Sequence, residues 1–376
     1  MPGPYDVIVA GVGGMGASAA YHLARRGLRV LGLERHDIPH AFGSSHGQTR
    51  IIRLAYAEHP GYVPLLRRAY ELWREMGERA DERLLYTTGG IDADHAGGAM
   101  FEGSLRSCRE HGIRHEVLDG AAVNRRFPGY RLPERHACLH QPDAGFVLPE
   151  RAIVTHVVAA QAHGAAIRAR EAVLGWDALP GGGVRVRTTR GSYEAGRLVL
   201  SPGAWLGSLA PALARLAVPE RQVLGWFQPD RPALFGPDRF PVANLAFDDG
   251  RYYLLPTWGV PGVKIGRYHH AGEAVDPDAL DRSFSTDDEA LLRLCLWRYF
   301  PEANGPTMAL AACMFTNTPD EHFIIDTLPG APEVLVVSAC SGHGFKFVPV
   351  VGEIVADLVT AGQSRFDLSM FRLGRF

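Results

Sequence analysis

The chain reads as an α/β protein that joins a doubly wound, parallel-sheet unit to a separate antiparallel sheet. Three observations predict this. Residues 6–33 run strand, glycine-rich turn, helix, strand, which is a complete βαβ opening. Residues 218–276 are rich in aromatics, Pro and Gly, with the alternation of antiparallel strands. A buried-strand pattern at 334–337 and an apolar helix pattern at 352–361 resemble the N-terminal unit more than the middle of the chain. The parallel unit is therefore expected to be discontinuous in sequence.

The elements follow in order. DVIVA (6–10) is short and apolar, as a strand covered on both faces must be. Gly11-Val-Gly-Gly-Met-Gly16 leads into a helix over 17–26 that stops at Gly27, and 28–33 forms the second strand, ending at Glu34. Helices are predicted at 62–76, 152–163 and 286–299, and strands at 82–91, 114–118, 165–173, 184–188 and 197–200. The expected division is a nucleotide domain of 1–85, 145–217 and 320–376 and a substrate domain of 86–144 and 218–319.

The glycine turn carries the first functional signal. Gly11 permits a tight turn, Gly13 lets backbone approach a pyrophosphate, and Gly16 allows close helix–strand packing. Gly14 and Met15 complete the turn, and the helix N-terminus offers free N–H groups and positive dipole. Glu34 stands where a ribose-binding carboxylate is expected. This is a Rossmann-like dinucleotide site. The fingerprint leaves FAD and NAD open, and Arg35 keeps NADP open as well.

Composition excludes other classes. The 39 basic and 41 acidic residues give a net charge of −2, which favours neither nucleic acid nor an acidic membrane surface. The five cysteines are odd in number and contain no C-x-x-C pair, so neither a disulfide framework nor a metal site is expected, and a reducing cytoplasm is. One bias is informative: of the 39 basic residues only Lys264 and Lys346 are lysine. Where arginine serves as the general cation, two retained lysines point to positions that need a compact ammonium.

Seven separated segments then carry a resemblance along essentially the whole chain: GVGGMG (11–16), GSSHGQTRIIRLAY (43–56), LVLSPGAW (198–205), YYLLP (252–256), VKIG (263–266), ACMFTNTPDEHFIID (312–326) and SGHGFKF (341–347). The sequence resembles the monomeric sarcosine oxidase and N-methyltryptophan oxidase family of covalent-FAD amine oxidases. The resemblance implies a Rossmann-like FAD-binding domain with an antiparallel-sheet substrate domain, the two-domain arrangement of glutathione reductase and p-hydroxybenzoate hydroxylase. It implies FAD attached through Cys313, a residue that would otherwise read as an inert buried thiol. Arg53 and Lys346 match the pair that grips the substrate carboxylate, and Lys264 matches the lysine that promotes oxygen reduction. Arg50, Thr49, His46 and Ser44 match residues near the flavin ring. Val173, Gly203, Trp205 and Met314 fall at further cofactor positions. Gly342, His343 and Gly344, with Lys346, match the loop along the flavin's pyrimidine edge, while Tyr253 and His269 match active-site residues.

Four departures bear on specificity. Phe315 stands where the sarcosine enzymes have tyrosine, Gln48 replaces an acid, and Cys340 replaces a phenylalanine. The stretch 264–269 is one residue longer, so the histidine match falls on His269 or shifts to Tyr268. The expected activity is oxidation of a secondary amine, an N-methyl amino acid above all, with O2 reduced to H2O2 by a monomer. A flavin amine dehydrogenase with another acceptor, an oxidase of pipecolate or a glycated amino acid, and a non-catalytic FAD-binding protein are the rival readings.

Overall fold

The computed structural model describes residues 5–376. Its first sheet has a parallel centre. Tyr5–Ala10 lies between Val30–Leu33 and Gly191–Leu200, and Ala166–Arg168 pairs beyond Val30–Leu33. Ala331–Ser338 joins the far half of Gly191–Leu200 in parallel and carries Ile324–Leu328 antiparallel. Val184–Thr188 and Val173–Ala178 extend the sheet antiparallel from the near half of that same strand.

The apolar runs are continuous because both faces of the parallel centre are buried. Val7, Val9, Val30 and Val199 face a core with the helices, while Ile8, Leu31, Leu198 and Val336 face the opposite layer. Helix Gly14–Arg25 packs against Pro149–Ala162 on one side and Val348–Ala361 on the other. The second crossing is tight: a Cβ on Gly352 would lie 2.1 Å from Ser18 Oγ.

The second sheet also has eight strands, ordered Thr307–Asn317, Val218–Phe227, Val263–Arg267, Gly250–Leu255, Val242–Phe247, Gly90–Asp94, Ala137–Gln141 and Glu116–Asp119. All neighbours are antiparallel except Gly90–Asp94 beside Val242–Phe247. Arg50–Ile52, Gly145–Val147 and Leu85–Thr87 form a third, small sheet.

Helix Thr286–Tyr299 has the expected bounds, set by a Ser285–Asp288 capping box. Two expectations were too coarse. The strand expected at 82–91 is two strands in different sheets, separated at Thr88 and Gly89, where Gly89 has φ +77°. The strand expected at 165–173 is also two, with Arg170 at φ +56° between them. Helices Ala99–His111 and Gly120–Arg126 fall where no helix was predicted. No helix among the described residues is long and apolar enough to cross a membrane, and all five cysteines are unpaired.

Candidate active site and cofactor cradle

One deep cavity runs from the glycine turn to the second sheet, with a volume of about 1900 Å³ counted out to the solvent at its mouth. Gly11, Gly13, Gly14 and Met15 line one end. Gly16 lies behind them for a steric reason: a Cβ there would stand 1.8 Å from Gly11 O. Nothing nearer than Ser45 Oγ at 3.7 Å would meet a Cβ on Gly13, so backbone there is open to a ligand. The first-turn amides of Gly14–Arg25 have no intrahelical partners, and the Gly14 amide donates to Ser45 Oγ at 3.3 Å.

Glu34 also lines this end. Its Oε2 accepts from Val12 N at 2.8 Å and its Oε1 from His36 N at 3.0 Å. Burial opposes ionisation, but hydrogen bonds from His40 and from the His36 and Val12 amides outweigh it and hold the carboxyl below the ordinary glutamate range. Arg35 lines this end as well, paired with Asp278 at 2.6 Å and lying over the Trp205 ring at 5.5 Å. Val173, Gly203 and Trp205 complete this part of the wall.

Farther in, the cavity meets Ser44, Thr49, Arg50, Cys313 and Met314. Ser44 Oγ donates to Met314 O at 2.6 Å, which stitches the 43–50 loop to strand Thr307–Asn317. Arg50 donates to Thr49 O and Ser44 O, both at 2.9 Å. Cys313 is 2% exposed, with Sγ 4.0 Å from Ser44 O. His46 is buried beside this wall but does not line it. Burial, Arg50 and Lys264 together push its pKa down to about 3. Gly342, His343 and Gly344 line the opposite side. His343 is fixed as a neutral ring: Nε2 donates to Glu321 O at 2.9 Å, which leaves Nδ1 to accept from Tyr56 Oη at 2.5 Å.

Lys264 is 1% exposed and stands behind the lining. Its Nζ donates to Gly47 O at 2.7 Å and Thr49 O at 2.6 Å, and lies 5.7 Å from the Trp226 ring centre. Burial first, then Arg50, hold its pKa well below the usual lysine value. Lys346 is equally buried but lines the cavity. Its Nζ donates to His343 O at 2.6 Å and lies 5.2 Å from the Tyr56 ring centre. Burial, then Arg53, depress its pKa too.

Arg53 lines the same recess. Its Nε donates to Ala55 O, its Nη2 to Glu58 at 3.1 Å, and Asp92 stands 3.6 Å from Nε. Glu58 is shared with Arg251 at 2.8 Å, and the Arg251 guanidinium stacks 4.2 Å over Tyr268. Glu58, Asp92 and Arg251 had not been anticipated. Three basic side chains and two carboxylates therefore meet here, and with Lys346 as its ammonium one positive charge is in excess. Tyr253, Phe315 and Tyr268 wall the recess with aromatic faces, Tyr268 lying 5.5 Å from Tyr253 and 5.8 Å from Phe315 between ring centres.

His269 is not brought into the cavity. It sits at φ +59° with its ring nitrogens on Glu220 and Glu321, both at 3.1 Å, and is half exposed. The hydrogen bond it donates to Glu321, together with Glu220, raises its pKa. Tyr268 takes the place instead. Lys264, Gly266 and Tyr268 share one side by the two-residue alternation of an extended chain, and the chain then turns at His269, whose positive φ carries the ring away to Glu220 and Glu321.

The cradle fits FAD: an amide-rich turn for a pyrophosphate, an ionised carboxylate at the end of the second strand, and a long cavity reaching a second sheet. Comparison with known proteins agrees. A family model described as DAO, FAD dependent oxidoreductase, matches residues 6–358. Monomeric sarcosine oxidase of Bacillus sp. (strain NS-129) is 38% identical over 379 residues, covering 99% of this chain and 97% of the relative. N-methyl-L-tryptophan oxidase of Salmonella enteritidis PT4 (strain P125109) is 37% identical, covering 99% of each. The solved open form of NikD, described as an unusual amino acid oxidase essential for nikkomycin biosynthesis, superposes with a TM-score of 0.85 at 27% identity, covering 98% of this chain and 97% of that one. The chain belongs to the FAD dependent oxidoreductase family.

Proposed function

We propose that this protein is an FAD-dependent oxidase of secondary amines that carry a carboxylate, N-methyl amino acids above all, with the flavin joined through Cys313. The observation that carries the substrate class is the single excess positive charge buried at the end of the cavity. Lys346 and the Arg53 side chain supply it, and one carboxylate neutralises it.

Bound FAD supplies the acceptor for a hydride from the carbon next to nitrogen. The residues do the rest. Lys346 and Arg53 hold the carboxylate and so fix the C–N bond in one orientation. Tyr253, Tyr268 and Phe315 enclose the amine, exclude water and favour its neutral form, the form able to lose hydride. The amine loses two electrons and two protons overall to give an imine, and O2 takes them as H2O2. Water then hydrolyses the imine to an aldehyde and a primary amine. Arg50 holds positive charge at the cavity wall and Lys264 holds it behind that wall, where Lys264 stabilises the negative charge that develops on oxygen.

Two measurements test this. Anaerobic mixing with N-methyl amino acids should bleach the flavin absorbance, and a screen of secondary amines in which none bleaches it refutes the proposal. In acid-precipitated protein the yellow colour should remain with the pellet, and Cys313→Ser should release it to the supernatant. Colour retained by the variant would remove Cys313 from the linkage.

A further inference from the structure

We infer that Glu150, outside the cavity and outside the residues assigned above, is a positioning residue that sets both the place and the charge state of the Lys264 ammonium. Glu150 sits half-buried in the first turn of Pro149–Ala162. It does not cap its own helix. Its Oε1 accepts from Gly47 N at 2.6 Å and Gln48 N at 3.0 Å, and its Oε2 also meets Gln48 N at 3.1 Å.

Those two amides belong to a turn of unusual backbone. Gly47 has φ +94° and Gln48, which has a Cβ, has φ +67°. A non-glycine residue holds that conformation only where its surroundings over-determine it, and the Glu150 carboxylate is one such determinant. Val260 N is another, donating to Gln48 Oε1 at 3.2 Å. The turn aims Gly47 O and Thr49 O at Lys264 Nζ. Carboxylate and ammonium are thus joined through one glycine: Glu150 binds its amide and Lys264 its carbonyl.

The charges around Lys264 make the second half of the case. From the small sheet Arg50 faces it, from the 43–50 loop His46, and from strand Thr307–Asn317 Cys313; strand Val218–Phe227 contributes the uncharged Trp226 ring. Arg50 disfavours the ammonium. Glu150 is the carboxylate that favours it. A buried ammonium with a cationic neighbour keeps its proton only if a negative charge offsets them.

The inference about Glu150 stands on this geometry, while its catalytic consequence rests on the oxygen-side reading of Lys264. The composition of the chain makes a direct test available. With only two lysines, holoprotein grown with Nζ-labelled lysine gives two ammonium NMR signals, and Lys264→Met assigns them. Glu150→Gln keeps the acceptor Oε1 and removes the charge. It should lower the pH at which the Lys264 signal titrates by about one unit, while Glu150→Asp, which keeps the anion, should move it less. An unmoved Lys264 signal in Glu150→Gln, or equal shifts in both variants, overturns the inference. Flavin reoxidation by O2, measured on the same proteins, is expected to lose its high-pH limb about one unit earlier in Glu150→Gln. If the NMR titration moves and reoxidation does not, the oxygen-side reading of Lys264 fails and the positioning role stands.

Discussion

Lys346→Met raises the KM for a carboxylated secondary amine by one to two orders of magnitude, and leaves an uncharged amine of similar shape within a few-fold. The magnitude is that of one charge-assisted hydrogen bond, about 1.5–3 kcal/mol. The selectivity between amines follows from the charge balance of the recess. Arg53 and Arg251 are matched by Glu58 and Asp92, and Lys346 donates only to the His343 carbonyl. Methionine keeps most of the side-chain volume against Tyr56 and Phe347 and removes the excess charge. The sign of the pH dependence is fixed as well. Burial and Arg53 depress the Lys346 pKa, so the ammonium is fully present below that value and lost as pH rises through it. Carboxylate affinity therefore falls with rising pH in the native protein and loses that limb in the variant. Equal KM changes for charged and uncharged amines would remove Lys346 from carboxylate binding.

Lys264→Met slows reoxidation of the reduced flavin by O2 by about 10²–10³-fold, the range seen when a preorganised charge or donor is removed from a site of developing negative charge. Reduction by substrate changes little, because Lys264 stands behind the wall that faces the amine. Stopped-flow measurement of the two half-reactions separates them, and equal slowing of both excludes an oxygen-side role. Arginine is no substitute here: its delocalised, planar fork does not supply the compact point charge that Gly47 O and Thr49 O hold at 2.7 and 2.6 Å.

What could be read from the chain and what could not divides along sequence distance. The Gly11–Gly16 turn and Glu34 are legible because turn, helix and acid lie within one βαβ unit, where local chemistry decides the geometry. Lys264 and Lys346 stand out by scarcity alone. The Asp92 carboxylate beside Arg53 does not. Asp92 reaches it only because Gly90–Asp94 pairs in parallel with Val242–Phe247, placing Asp92 beside Asn244, and no local pattern announces a parallel pair inside an antiparallel sheet. Arg251 and Glu58 are brought together across 193 positions. The His269 assignment is a different case, since alternation from Lys264 already puts Tyr268 on the inner side. The short helices at 99–111 and 120–126 were missed because each contains glycine near its start, and it is packing and an Asp119 cap that hold them.

The tight crossing of Gly352 over Ser18 has a consequence for how the protein is made. The helix that presents the glycine turn, Gly14–Arg25, is made long before Val348–Ala361, which covers its outer face, and Ala331–Ser338, which completes the sheet beneath it. A nascent chain that stops short of residue 331 has the fingerprint but lacks that flank of the sheet and the helix that clamps the turn in place. Assembly of the cradle thus waits until residues 331–361 have been made, and the βαβ unit of residues 5–33 must avoid aggregation until they arrive.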